Sequence, residues 1–209
     1  IDTMVVDRDT SLALMVEAQA RGAEVWWFLP EALVFDRGRV CAAAARVRVS
    51  LTPGAHYETL EQRSLDLASC DVVLIRQDPP FDMAYVTSTY LLELLEPGVL
   101  VLNRPQGIRN IPEKLSTLPF SDLTPPTLVG RDRAAIAAFA QDFEQVVLKP
   151  AFLAGGDGVQ KTALSAPDFA AVVDAMLAAS GKEPIIVQAF LPGVKDGDKR
   201  VFALDGQAI

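Results

Sequence analysis

Three short segments in the second half of the chain contain residues that could bind a nucleoside triphosphate. Lys149 follows an apolar run in VVLKP, and the turn AGGDG after it contains Gly155, Gly156 and Gly158. A lysine supplies a positive charge for phosphate oxygens, and glycines let backbone N–H groups approach them without obstruction by side chains. With the later strand-to-hinge segment EPIIVQAFLPGVKDGD (Glu183–Asp198), this order of residues predicts an enzyme that uses ATP.

The composition limits the class of protein. The chain has 209 residues, of which 50% are hydrophobic and 22% charged, enough to bury a core in one or two domains. A net charge of −8 argues against a general attraction to nucleic-acid phosphates, so we expect no nucleic-acid partner. The sequence has neither an apolar run of membrane-spanning length nor a signal-peptide pattern. We therefore expect a cytoplasmic protein without membrane association.

The cysteines and the histidine do not have the spacing of a metal or nucleophilic site. Cys41 and Cys70 lie far apart, which favours two buried thiols in a reducing compartment. His56, the only histidine, lies in the polar segment PGAHYE, where we expect a surface role. The sequence thus predicts no metal site within this chain.

The first half of the chain predicts a doubly wound α/β domain over residues 1–112. A capped helix is expected at residues 10–22, a strand in AEVWWFL, and a hairpin where ALVFD and VRVS flank Arg37-Gly38. CDVVLI and GVLVLN are typical of buried strands, with a helix between them. The loop RQDPPFD follows the first of these strands, at the end where open parallel sheets bind ligands.

Residues 113–191 predict a second, α+β unit. A segment punctuated by Pro105 and Pro112 leads to it and ends in a helix that carries Lys114. Strands are then expected in TPPTLVG, EQVVLKP and EPIIVQAFL, and helices in RDRAAIAAFAQDF and PDFAAVVDAMLAA. Residues 192–209 are expected to begin a further domain.

These segments together resemble bacterial glutathione synthetase of the ATP-grasp superfamily. The resemblance covers nearly the whole chain, and RQDPPFD and KDGDKR are its most specific parts. It implies an N-terminal pre-ATP-grasp domain, an ATP-grasp lid and the start of the C-terminal ATP-grasp sheet, with ATP held between the last two. The implied reaction joins γ-glutamylcysteine and glycine through an acyl phosphate, with ATP and Mg²⁺, or Mn²⁺, as cofactors. A homotetramer is implied as well.

The resemblance also implies roles for individual residues. Lys114 and Lys149 would contact the nucleotide phosphates, and the glycines would form a mobile flap over them. The segment QAFL would meet the adenine, and Arg200 would be the catalytic residue that binds the peptide substrate, with Arg76 as a second candidate for that substrate. The expected nucleotide-binding residues are Lys114, Lys149, Gly155, Gly156, Gly158, Gln188, Ala189, Phe190, Leu191 and Asp198.

The chain departs from the family pattern at two positions. Leu153 stands where the flap usually has another glycine, which would alter flap closure or nucleotide affinity. Ala189 stands where many relatives have an acid, a change that recognition by the backbone should tolerate.

Two other functional hypotheses stay open. A different ATP-grasp carboxylate–amine ligase, of the peptide-modifying or D-alanine type, would share the lysines and the flap but not RQDPPFD and KDGDKR. A non-catalytic nucleotide-binding protein could retain the same fold.

We also expect the chain to be a fragment, because it begins without Met and ends just after a strand and turn. The family's magnesium ligands would then follow Ile209, and the fragment alone would not catalyse glycine-dependent ATP hydrolysis.

Overall fold

The computed structural model describes residues 1–197, 199, 201–204 and 206–208. The chain divides into two compact units, Ile1–Pro112 and Glu113–Ile209. Within the described residues, no helix combines the length and the hydrophobicity that crossing a bilayer requires.

An antiparallel sheet forms the first part of unit 1. Its elements are α1 (Thr10–Ala20), β1 (Val25–Trp27), β2 (Leu33–Asp36), β3 (Arg39–Val49) and β4 (Tyr57–Asp66). β3 is the central strand: β1 and β2 pair with successive parts of one edge, and β4 pairs with the other. The expected helix and hairpin are confirmed, and Arg37 and Gly38 both have the positive φ that a two-residue hairpin turn needs. β4 was not predicted, because its many charged residues mask the strand pattern.

A parallel strand pair forms the second part of unit 1. Its elements are β5 (Val72–Leu74), α2 (Met83–Glu93), β6 (Leu100–Leu102) and α3 (Pro105–Asn110). Val73 and Val101 are buried in a core shared with α2 and β3, whereas Val72 and Leu100 on the other face are 46% and 55% exposed. The two strands that were expected to be buried are therefore present but only partly buried. One face alone contributes to the core.

The surroundings of His56 also differ from the expectation. Its ring is buried, its Nε2 lies 3.0 Å from the carbonyl oxygen of Ile1, and it contacts the ring of Tyr57 at a centroid distance of 5.3 Å. The predicted surface role is wrong, because the segment before α1 folds over this ring.

Unit 2 contains a four-stranded antiparallel sheet. Its elements are β7 (Thr127–Gly130), α4 (Arg133–Ala140), β8 (Val146–Pro150), β9 (Gln160–Thr162), α5 (Phe169–Ala179) and β10 (Ile185–Ala189). The strand order is β7-β10-β8-β9. Ile136 of α4 and Met176 of α5 pack on Leu148 and Val187, so both helices lie on one face. The strands and helices expected here are confirmed, whereas the short strand β9 was not predicted.

The ends of unit 2 are less regular. Lys114 directly precedes a 3-10 helix, Leu115–Leu123, and does not lie within a helix as expected. The kink at Phe120, beside Pro119, accounts for the irregular helix. After β10 come a 3-10 turn, Pro192–Asp196, and the short antiparallel pair β11 (Ala203–Leu204) and β12 (Gln207–Ala208).

Candidate active site

The candidate site lies on the face of the unit 2 sheet opposite α4 and α5. Side chains alternate between the two faces of a strand, and Leu148 and Val187 point toward the helices. Lys149 and Gln188, one residue further along their strands, therefore point to the opposite face. Thr127 is the partner of Gln188 across the β7–β10 pair and shares that face.

A chain of hydrogen bonds joins these three side chains. The Lys149 ammonium donates to the side-chain oxygen of Gln188 over 2.6 Å. The Gln188 amide nitrogen donates to the Thr127 hydroxyl over 2.8 Å, and that hydroxyl donates to the carbonyl of Pro125 over 2.7 Å. The lysine is thus held in one position by side chains of β10 and β7.

The charge on Lys149 is destabilised where it stands. Partial burial lowers the pKa of its ammonium, and the nearby charge of Lys114 lowers this pKa further. A lysine ammonium has three N–H donors, and an anion placed between the two lysines would relieve both effects. These two cations suit a ligand that carries several negative charges.

Lys114 also contacts the start of the glycine-rich turn. Its ammonium donates to the backbone carbonyl of Leu153, at the start of the turn. A backbone carbonyl is present whatever the side chain, so this contact does not depend on leucine at position 153. The leucine side chain lies against Gly158 within the turn.

The turn itself requires its glycines. Gly155, Gly156 and Gly158 have φ values of +67°, +85° and +70°, which L-residues with side chains rarely adopt. A Cβ on Gly158 would lie 2.9 Å from Cγ of Pro150, whereas one on Gly155 would meet nothing within 4 Å. Glycine is therefore required at position 158 both because a Cβ would not fit and because of the backbone conformation.

The segment QAFL ends β10 beside these groups. The N–H groups of Ala189 and Phe190 donate to the carbonyls of Pro126 and Gln145 over 3.1 and 3.0 Å, so neither is free to donate to a base. The ring of Phe190 lies 4.6 Å from the ammonium of Lys161, a cation–π contact. Leu191 is 55% exposed and can offer an apolar surface.

The remaining expected site residues lie in unit 1 or outside the described residues. Arg76 belongs to unit 1, where its Nε donates to the hydroxyl of Ser11 over 3.1 Å at the start of α1. Asp198 and Arg200 lie outside the described residues.

Two residues of the site were not anticipated. Thr127 and Lys161 come into place through strand pairing, since Thr127 lies opposite Gln188 and Lys161 lies opposite Val147. The pairing register was the missing information, and no local pattern in the sequence encodes it.

A separate cavity of about 800 Å³ lies between the glycine-rich turn and α5. Pro150, Leu153 and Met176 contribute to its walls, and neither of the two lysines lines it. The cavity is mostly apolar, so we place the candidate site at the charged groups on the other face of the sheet.

Two family models match the chain and together cover most of it. The prokaryotic glutathione synthetase N-terminal domain matches residues 1–109, and the prokaryotic glutathione synthetase ATP-grasp domain matches residues 113–209.

Individual proteins similar to this chain agree with the family models. The chain is 43% identical to a glutathione synthetase of Rhodopseudomonas palustris over 199 residues, which are 95% of this chain and 63% of that protein. It is 39% identical over its whole length to a glutathione synthetase of Mesorhizobium japonicum, of which it covers 66%. The chain thus spans slightly less than two thirds of the length of these relatives.

Solved structures agree on the fold. A RimK domain ATP-grasp protein from Sphaerobacter thermophilus superposes with a TM-score of 0.56 at 22% identity, over 90% of this chain and 62% of that one. The ATP-grasp ligase PsnB, complexed with a minimal precursor, superposes with a TM-score of 0.51 at 21% identity, over 96% of this chain and 65% of that one. The predicted α/β fold with an ATP-grasp unit is confirmed.

Proposed function

The chain belongs to the prokaryotic glutathione synthetase family, and from this membership we propose that it works in an ATP-dependent ligase that joins γ-glutamylcysteine to glycine. In this reaction the γ-phosphoryl group of ATP is transferred to the cysteinyl carboxylate of γ-glutamylcysteine, which gives an acyl phosphate and releases ADP. The glycine amine then attacks the acyl phosphate, forms the amide bond and releases phosphate.

The observation that carries this proposal is the pair of lysines beside the glycine-rich turn. Lys149 has a lowered pKa because it is partly buried and lies near Lys114. Phosphoryl transfer depends mainly on positioning and on neutralising charge, and two cations on fixed elements supply both. An ATP triphosphate would satisfy the ammonium groups that now repel one another.

We assign roles to the other residues on the same basis. The turn containing Gly155, Gly156 and Gly158 would close over the phosphates and offer its backbone N–H groups to them. The end of β10 would receive the adenine. Phe190 and Leu191 would serve as apolar walls, and Gln188 would hold Lys149. Because the N–H groups of Ala189 and Phe190 are occupied, the base would use carbonyl groups at these positions.

For the peptide substrate we propose Arg76 and Arg200, with Arg200 as the catalytic residue, and we place Asp198 on the nucleotide side. A guanidinium can bind a carboxylate through two parallel hydrogen bonds, which suits a peptide rich in carboxylates.

The described residues do not fit a divalent metal ion. No group of three His, Cys, Asp or Glu side chains among them is arranged to hold one. The reaction class needs Mg²⁺ or Mn²⁺ to offset phosphate charge, but we assign no metal ligand to the described part of this chain and derive no step through the metal.

Phosphate release tests the function. The full-length gene product should release phosphate only when ATP, γ-glutamylcysteine and glycine are all present. Release with D-alanine, and not with this pair, would favour a different ATP-grasp ligase. A non-catalytic nucleotide-binding protein would give a nucleotide-induced thermal shift but no release with any acceptor.

We also propose a cytoplasmic location and a homotetrameric assembly. The location is supported by Cys41 and Cys70, which are free thiols. Size-exclusion chromatography with light scattering would test the assembly.

A further inference from the structure

Thr127 lies at the end of the hydrogen-bond chain that holds Lys149, and no reaction step requires its hydroxyl. We propose that Thr127 is a positioning residue, which orients the Gln188 side-chain amide so that its oxygen faces the Lys149 ammonium. This inference depends on the proposed function in one respect only, namely that the ligand of Lys149 is the triphosphate of ATP.

The donors and acceptors permit one orientation. The carbonyl of Pro125 can only accept, so the Thr127 hydroxyl must spend its single hydrogen on that 2.7 Å contact. The hydroxyl can then only accept from Gln188, which must present its amide nitrogen at 2.8 Å. The amide oxygen consequently turns toward Lys149, whose ammonium can only donate. Both ends of the chain require the same orientation of the amide.

Strand pairing makes this arrangement rigid. Thr127 and Gln188 are direct partners in the β7–β10 pair, and Lys149 is the partner of Ile186 in the β8–β10 pair. Lys149 and Gln188 are therefore diagonal neighbours on one face, close enough for long side chains to meet. All three side chains are half-buried, so an unpaired amide group here would be costly.

The test removes the hydroxyl and keeps the side-chain shape. Thr127→Val preserves the branching that suits a strand, and Thr127→Ser preserves the hydroxyl. Dissociation constants for a non-hydrolysable ATP analogue with Mg²⁺ are measured by calorimetry. Thr127→Val should weaken binding by about fivefold, the loss of one partly buried hydrogen bond. Thr127→Ser should bind within about twofold of the wild type.

A double-mutant cycle separates positioning from packing. In a Gln188→Met background, Thr127→Val should have no further effect, because the residue through which it acts is gone. Thr162→Val is the matched control, since Thr162 is a buried threonine on β9 of the same sheet, paired with the helix-facing Val146. It should leave binding unchanged.

A second readout requires no nucleotide. The Lys149 side chain, followed by its ¹³Cε resonance, should titrate at lower pH in Thr127→Val, because a misplaced amide no longer stabilises the charged ammonium. An unchanged titration together with unchanged binding, or equal losses in the Val and Ser variants, would overturn the role of Thr127. A wild type that binds no nucleotide while this titration still shifts would instead count against the proposed function.

Discussion

Lys149 and Gln188 lie on neighbouring antiparallel strands, and the Lys149 ammonium donates to the Gln188 side-chain oxygen over 2.6 Å. The contact joins the strand before the glycine-rich turn to the strand that ends at QAFL. It gives a partly desolvated cation a neutral acceptor, which holds the ammonium without cancelling its charge. That charge remains available to an anion.

Removing the charge of Lys149 should weaken nucleotide binding without unfolding the unit. Lys149→Met should raise the dissociation constant for ATP by about ten- to a hundredfold, the effect of losing a charge-assisted hydrogen bond to phosphate. The melting temperature should not fall, because a destabilised charge has been removed. Lys182→Met, at an exposed lysine in the turn after α5, is the matched control and should bind normally.

Placing a negative charge beside the Lys149 ammonium should weaken ATP binding about as much as removing the lysine does. Gln188→Glu keeps the side-chain shape but sets a carboxylate against the ammonium, which raises the pKa of Lys149 and competes with phosphate. We expect about tenfold weaker ATP binding, or more. Calorimetry measures the affinity, and affinity equal to that of the wild type would mean that the ammonium does not meet the phosphates.

Lys114 should control the titration of Lys149. Lys114→Met should raise the pKa of Lys149, but not to its ordinary value, since burial is the larger cause and remains. The ¹³Cε shift of Lys149, followed against pH, measures this change. Lys161→Met removes a lysine that is not among the causes of the lowered pKa, so it should leave the pKa of Lys149 unchanged.

The same lowered pKa predicts how stability changes with pH. The unfolded chain binds the proton of Lys149 up to the ordinary pKa, whereas the folded chain releases it at lower pH. Between these two values the unfolded state carries more protons, so the free energy of unfolding rises with pH in that window. Lys114→Met should narrow this pH range, because it raises the pKa of Lys149 in the folded state. Free energies of unfolding measured by denaturant titration across alkaline pH would show the change. A rise over the same pH range in both proteins would contradict the assigned cause.

Two glycines of the turn should differ in their tolerance of a methyl group. Gly155→Ala meets only the backbone cost of a positive φ, about 1 kcal/mol, whereas Gly158→Ala also drives a Cβ against Pro150. Gly158→Ala should therefore give the larger drop in melting temperature and the larger loss of ATP affinity. Equal effects of the two substitutions would indicate that Pro150 moves aside freely.

Much of the fold follows from local patterns. Asp9 and Asp132 cap α1 and α4 by accepting hydrogen bonds from the backbone N–H groups of Leu12 and Ala135, whereas a Thr or Ser cap was expected for α1. The strand VVLKP and the glycines after it were also predicted, because a short apolar run and a glycine-rich turn are encoded within a few residues. The described strands that were missed, β4, β9 and β12, are charged or short.

The sequence alone determined which residues carry charge and flexibility: two lysines, three turn glycines and the segment QAFL. Tertiary structure decided how they are held. The register of β7, β10 and β8 sets Thr127 opposite Gln188 and Gln188 diagonal to Lys149, and partial burial in that sheet lowers the pKa of the lysine. Register and burial depend on residues far apart in the chain, so no local pattern can specify them.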